Sequence, residues 1–134
     1  MLMLLGRFAD ASDRLEAALT MGTALECAPV QASALNSLAI VYCAAGQYGP
    51  AIESGRRGLR IALDSDLSDE VMRAHVNTSQ AMDDSGRIQE ALRLGLDGIE
   101  TARRLGLDRH SGDQLRVQAG WRLARMGRFR RPNA

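Results

Sequence analysis

Few residues in this chain could carry out chemistry, and their spacing argues against most of the reactions they could support. The two histidines, His75 and His110, stand far apart in the chain, and neither has a second ligand one helical turn away. His75 falls on the packed side of a helical stretch. His110 falls in the polar segment Asp108-Arg109-His110-Ser111-Gly112. No metal set is built from them, because helical metal sites pair ligands at i and i+4. Cys27 and Cys43 are well separated and lack the CxxC spacing of a redox or zinc site. They read as small packed side chains, not as a disulfide. Asp83-Asp84 could suggest acid–base work, but adjacent helical side chains diverge by about 100°. They read as groove or solvent-facing charges near a helix end. Ser79 and Ser111 have no partners for a nucleophilic triad.

All 17 basic residues are arginine. With no lysine there is no Schiff-base lysine and no GxxxxGK[ST] phosphate loop. The absence fits the codon bias of a GC-rich genome. The arginines cluster near the end of the chain as Arg122, Arg125, Arg128, Arg130 and Arg131. Cations suit a helix C-terminus, so the cluster reads as a solvated helix end. Trp121 is the single tryptophan. It is the best anchor candidate for a partner, because large aromatics dominate interface energetics. The expectation is therefore a chain with no catalysis, no cofactor and no metal.

The elements that position these residues follow from an internal repeat. Gly6-Arg7-Phe8, Gly46-Gln47-Tyr48, Gly86-Arg87-Ile88 and Gly127-Arg128-Phe129 recur with a period of about 40 residues, the last step being one longer. In the fifth position after the first three glycines come Ala11, Ala51 and Ala91; the fourth copy has Pro132. Gly55 and Gly58 match Gly95 and Gly98 in the same frame, as Leu38 and Tyr42 match Thr78 and Met82. A glycine inside a helix costs about 1 kcal/mol against alanine, so two matched pairs predict close helix crossings.

Each repeat reads as two helices. The periodicity predicts helices over about 8–25, 31–45, 48–63, 69–85, 88–105 and 112–126. Leu35, Leu38, Ala39 and Tyr42 form the first inward stripe of a complete repeat. Ala51, Ile52, Leu59, Ala62 and Leu63 form the second. Val71, Ala74, Thr78, Ala81 and Met82 follow, then Ala91, Leu92, Leu94, Ile99 and Ala102. Leu115, Ala119, Leu123 and Met126 complete the series. Gly46, Gly86 and Gly106 end helices by accepting the left-handed conformation. Asp66 or Ser68 is the expected N-cap of the fourth helix. The fold class is all-α: a right-handed α-solenoid of antiparallel hairpins with about six helices. The expected division is a partial repeat over 1–27, repeats over 28–67 and 68–108, and a partial repeat over 109–134.

At 134 residues and 46% hydrophobic, the chain is one ordered domain with few aromatics (4%), which suits helices packed on small side chains. The formal charge of +1 gives no field that would draw nucleic acid or a membrane surface. The apolar start Met1-Leu2-Met3-Leu4-Leu5 is too short for a signal peptide, so a cytoplasmic location is expected.

Leu38-Ala39, Tyr42, Gly46, Tyr48 and Ala51 resemble the columns of the tetratricopeptide repeat. The period is longer than the usual one of about 34 residues. The stretches Ala74–Ser79, Gly86–Leu92 and Gly98–Leu107 look like the helical region of bacterial LuxR-type transcriptional regulators with an AAA or STAND-type ATPase. That resemblance implies a regulatory or sensing array between an ATPase and a helix-turn-helix. Neither of those parts is encoded here, so the chain reads as a segment of a longer array, able to self-associate through exposed ends.

In tetratricopeptide arrays the first helix of each hairpin lines a concave groove. By register that groove would carry Ser33, Asn36, Ile40 and Cys43, then Arg73, Val76, Gln80, Asp83 and Asp84, then Val117, Trp121 and Arg125. The resemblance implies a protein or peptide partner, with no nucleic acid and no membrane. A freestanding adaptor unrelated to transcription is the alternative.

Overall fold

A computed structural model of the chain describes residues 2–107 and 112–129, with side chains described for 6–107 and 112–127. Six helices run through them: α1 (Leu2–Ala24), α2 (Ala28–Ala44), α3 (Tyr48–Asp64), α4 (Ser68–Asp84), α5 (Ile88–Arg104) and α6 (Asp113–Phe129). No strand occurs among the described residues. Each helix packs on its sequence neighbours, and α2 also packs on α4. This is the nearest-neighbour arrangement of a helical repeat solenoid.

The repeat is finer than the glycine spacing suggests. Helices α2 to α5 have one common length, 17 residues. They begin at Ala28, Tyr48, Ser68 and Ile88, so a new helix starts at half the glycine spacing. Helices α1 to α5 all end with the same backbone turn. The middle residue is left-handed at Glu26 (φ 51°), Gly46 (78°), Asp66 (56°), Gly86 (89°) and Gly106 (74°). The next amide reaches back to a carbonyl in the last turn of the preceding helix. These bonds run from Cys27 to Gly22, Gln47 to Tyr42, Leu67 to Ala62, Arg87 to Met82 and Leu107 to Ala102, each 2.8 Å. They satisfy carbonyls that a helix end leaves without partners.

The caps differ from expectation. Asp66 does not cap α4; it is the left-handed residue that closes α3, and Leu67 occupies the N-cap without a side-chain bond. In so short a link the middle position is taken by the preceding helix, so the next residue must cap. The Leu67 carbonyl accepts from Val71 N at 2.9 Å, which starts the ladder. Asp69 and Glu70 lie in the first turn of α4, where negative charge suits the dipole. Pro50 lies in the first turn of α3, where no intrahelical bond is lost.

The core is built from alanines. Ala32, Ala39, Ala51, Ala62, Ala74, Ala81, Ala91 and Ala102 are completely buried. One cluster joins Ala32, Ala62, Val71, Met72, Ala102 and Leu115; a second joins Ala51, Ile52, Ala81, Met82 and Ala91. The matched glycines sit where helices come closest. A methyl on Gly58 would lie 2.8 Å from Asn36 Oδ1, and on Gly98 2.8 Å from Leu115 Cδ1 and 3.0 Å from His75 Cβ. On Gly55 it would collide with the Thr78 hydroxyl.

Two expectations fail, one for the outer glycines of the repeat and one for two leucines. Gly6 and Gly127 do not end helices; they lie inside α1 and α6, and a methyl on either would meet open space. A glycine turn forms where the chain can fold back onto a packed neighbour, as at Gly46 and Gly86. Leu63 and Leu123 are not inward but 50% and 53% exposed. In each case the preceding residue, Ala62 or Arg122, takes the inward position. The next side chain is then turned about 100° away.

Candidate functional site

The predicted site residues lie on α2, α4 and α6, the first helices of the hairpins. Asn36 must be removed from the surface set. It is completely buried beside Gly58, and its amide donates to the Glu70 backbone carbonyl (3.0 Å) and to Glu70 Oε2 (2.7 Å). It is a packing residue that ties α2 to α4. Arg73 closes the same cluster, donating to both Glu70 carboxylate oxygens at 3.1 Å and to Ser37 Oγ at 3.3 Å. Val76 is half-buried against the core. Ile40 is 49% exposed, and the sulfur of Cys43 donates to Asp84 Oδ2 at 3.3 Å.

The other end of the face is organised by Asp83. Its carboxylate accepts from Arg122 Nε at 3.0 Å and from Arg125 Nη2 at 2.5 Å, joining α4 to α6. Burial raises the Asp83 pKa, but hydrogen bonds and charge from Arg125 and Arg122 outweigh it and hold the carboxyl below its ordinary value. Gln80, Asp83, Gln118, Trp121, Arg122 and Arg125 line a cleft of about 310 Å³ between the two helices. Val117 and Trp121 stand 61% and 69% exposed on the same helix. Gln80 donates to Asp84 Oδ1 at 2.8 Å. The structure thus brings Gln80, Asp83, Asp84, Trp121 and Arg125 together, while Ile40 and Arg73 lie with α2 and the earlier part of α4.

Sequence reasoning missed Arg122. It reads as part of a solvated helix end, yet only 1% of it is exposed. A signal was present: the longer last step of the repeat, from Gly86 to Gly127, sets Arg122 on the buried Ala81 column and Trp121 on Gln80. Arg130 and Arg131 of the same cluster lie outside the described residues, as does His110. His75 is buried as expected, with Nδ1 3.2 Å from the Leu94 carbonyl, and burial lowers its pKa. Both cysteines are free thiols, and both are only half-buried. Burial, with the Asp84 hydrogen bond and charge, pushes the Cys43 thiol up to about 11. Such a thiol is a poor nucleophile at neutral pH. Among the described residues no group of three His, Cys, Asp or Glu side chains converges as metal ligands would. No described helix is long and apolar enough to cross a membrane.

The face is an open, mixed surface: exposed apolar side chains beside charges already paired with each other. It offers area and hydrogen bonds, not an enclosed reaction chamber. Residues 1–64 match the tetratricopeptide repeat family. That stretch spans α1 to α3, and α4 and α5 continue the same register. No curated protein matches the sequence. Tetratricopeptide repeats generally mediate protein–protein interaction, and the repeat itself is not catalytic.

Proposed function

We propose that this chain is a protein-interaction segment that binds an extended or helical peptide across α2, α4 and α6. The observation that carries the reading is the largely exposed Trp121 on the wall of the cleft between α4 and α6, with Val117, also largely exposed, on the same helix. An exposed tryptophan beside paired charges has the anatomy of an interface anchor. Ile40 extends the apolar contact on α2, and Arg73, Gln80, Asp84 and Arg125 supply the polar rim. The chain does no catalysis of its own and works in the cytoplasm. It belongs to a bacterial transcriptional regulator or signalling ATPase of the LuxR or STAND kind, where its repeats would pass small rotations between domains. The columns at Ala74–Ser79, Gly86–Leu92 and Gly98–Leu107 support that context.

The test is affinity capture with the unchanged chain, Trp121→Ala, and Leu96→Ala on an α5 surface. Loss of the hot-spot side chain weakens a partner by about 30-fold. The reading expects Trp121→Ala to lose the partner and Leu96→Ala to keep it. Equal capture by both variants contradicts it.

A further inference from the structure

We propose that α6 is a latched helix, held in place by the Asp83–Arg122–Arg125 cluster, and that this latch decides whether the Trp121 wall of the cleft is formed. The latch does not depend on what the cleft binds.

Three observations lead to it. First, α2 and α4 pack directly on each other, but α6 packs on α5 with no comparable approach to α4. The space between α4 and α6 is the 310 Å³ cleft, bridged by long arginine side chains reaching Asp83. Second, α6 has little apolar grip. Its fully inward positions are Leu115, Ala119 and Arg122, preceded by Gly112, so Leu115 is the one large apolar side chain among them. The matching positions of α4 (Val71, Ala74, Thr78 and Ala81) are joined by a second buried row, Met72, His75, Ser79 and Met82. On α6 that second row is Asp113, Arg116, Gly120 and Leu123, all exposed. The link is also longer: the links between α1 and α5 are short and alike, whereas 105–112 precede α6.

Third, Arg122 is buried at a cost. Its Nε is paired, but Nη1 and Nη2 have no hydrogen-bond partner, and neither has the buried Gln118 Oε1 one turn earlier. A buried ion pair adds little stability over apolar packing, yet removing one partner is strongly destabilising. Such a pair is suited to fixing one position of a helix that other contacts hold weakly. When Asp83 lets go, the buried guanidinium has no compensating charge, and α6 must swing out to hydrate it. Trp121 and Val117 leave with it.

Amide hydrogen exchange on the full chain tests this. Asp83→Asn should raise exchange across 113–126 by about tenfold or more while α2 and α3 keep their protection. High salt should loosen α6 in the unchanged protein only slightly, because the buried Arg122–Asp83 pair is little screened. Arg122→Met exchanges the ion for an apolar side chain of the kind Met82 provides. It should keep α6 at least as protected. Unchanged exchange over 113–126 in Asp83→Asn overturns the proposal. Equal deprotection of α2 and α3 does so too, as does faster exchange over 113–126 in Arg122→Met.

Discussion

A methyl group added at Gly55 tests the close-packed register of the solenoid. Gly55 lies inside α3, so replacement by alanine should gain about 1 kcal/mol of helix propensity. The structure opposes that gain. The new Cβ would overlap the Thr78 hydroxyl and lie 3.0 Å from Thr78 Cβ and 3.3 Å from Cγ2. Thr78 is 1% exposed, and its Cβ stays 3.0 Å from the added methyl whichever rotamer the side chain takes. Overpacking of this kind costs about 1–3 kcal/mol. Relief of the clash would need α3 and α4 to separate, which opens both core clusters. The net expectation for Gly55→Ala is destabilisation by about 1–2 kcal/mol. Thr78→Ala in the same chain should return at least half of that, because the hydroxyl is the atom struck and has no hydrogen-bond partner to lose. Gly49→Ala serves as the control, since the same helix leaves open space there. It should be neutral or stabilising. Urea unfolding followed by circular dichroism measures all four proteins. A Gly55→Ala chain as stable as the unchanged one would refute the close approach of α3 to α4.

Other consequences are equally direct. Asp66 is left-handed without being glycine, so Asp66→Gly should stabilise by up to about 1 kcal/mol, whereas Gly46→Ala should cost about as much; thermal melts compare them. Burial holds the His75 pKa below its ordinary 6.5. The unfolded chain therefore binds the proton first, and stability is complete above about pH 6.5 and falls as pH drops below it. Replacing His75 by leucine, the residue at the matching Leu35 position, should flatten that part of the pH–stability curve. Cys43, raised to about 11, should alkylate at pH 8 at least about tenfold more slowly in the folded chain than in denaturant, with Asp84→Ala narrowing the gap.

Much of the architecture is legible in the residues. Gly46, Gly86 and Gly106 announce their turns because only glycine takes positive φ without a Cβ penalty. The pairs Gly55/Gly58 and Gly95/Gly98 announce the crossings for the same lack of a side chain. The matching turns at Glu26 and Asp66 are hidden, because a residue forced into the left-handed region by its neighbours leaves no mark in the sequence. For that reason the one-helix register is read as a period twice as long. The candidate site is less legible. Asn36 and Arg122 are polar side chains of the kind that usually face water, and here a glycine beside each makes room to bury them. Gly58 does so for Asn36. Gly95 does so for Arg122, whose Nη1 would lie 3.3 Å from a methyl placed there. Their partners Glu70 and Asp83 stand on other helices, far away in the chain, so no local pattern could pair them.

The central claim is that partners bind across α2, α4 and α6. Site-specific photo-crosslinking tests it most directly, with the reactive group placed in turn at Ile40, Gln80 and Trp121 on that face and at Arg57 and Leu96 on α3 and α5. The account predicts that one protein partner crosslinks from all three positions on the face and from neither of the other two. Crosslinks from Arg57 and Leu96, with none from Gln80 or Trp121, would contradict it.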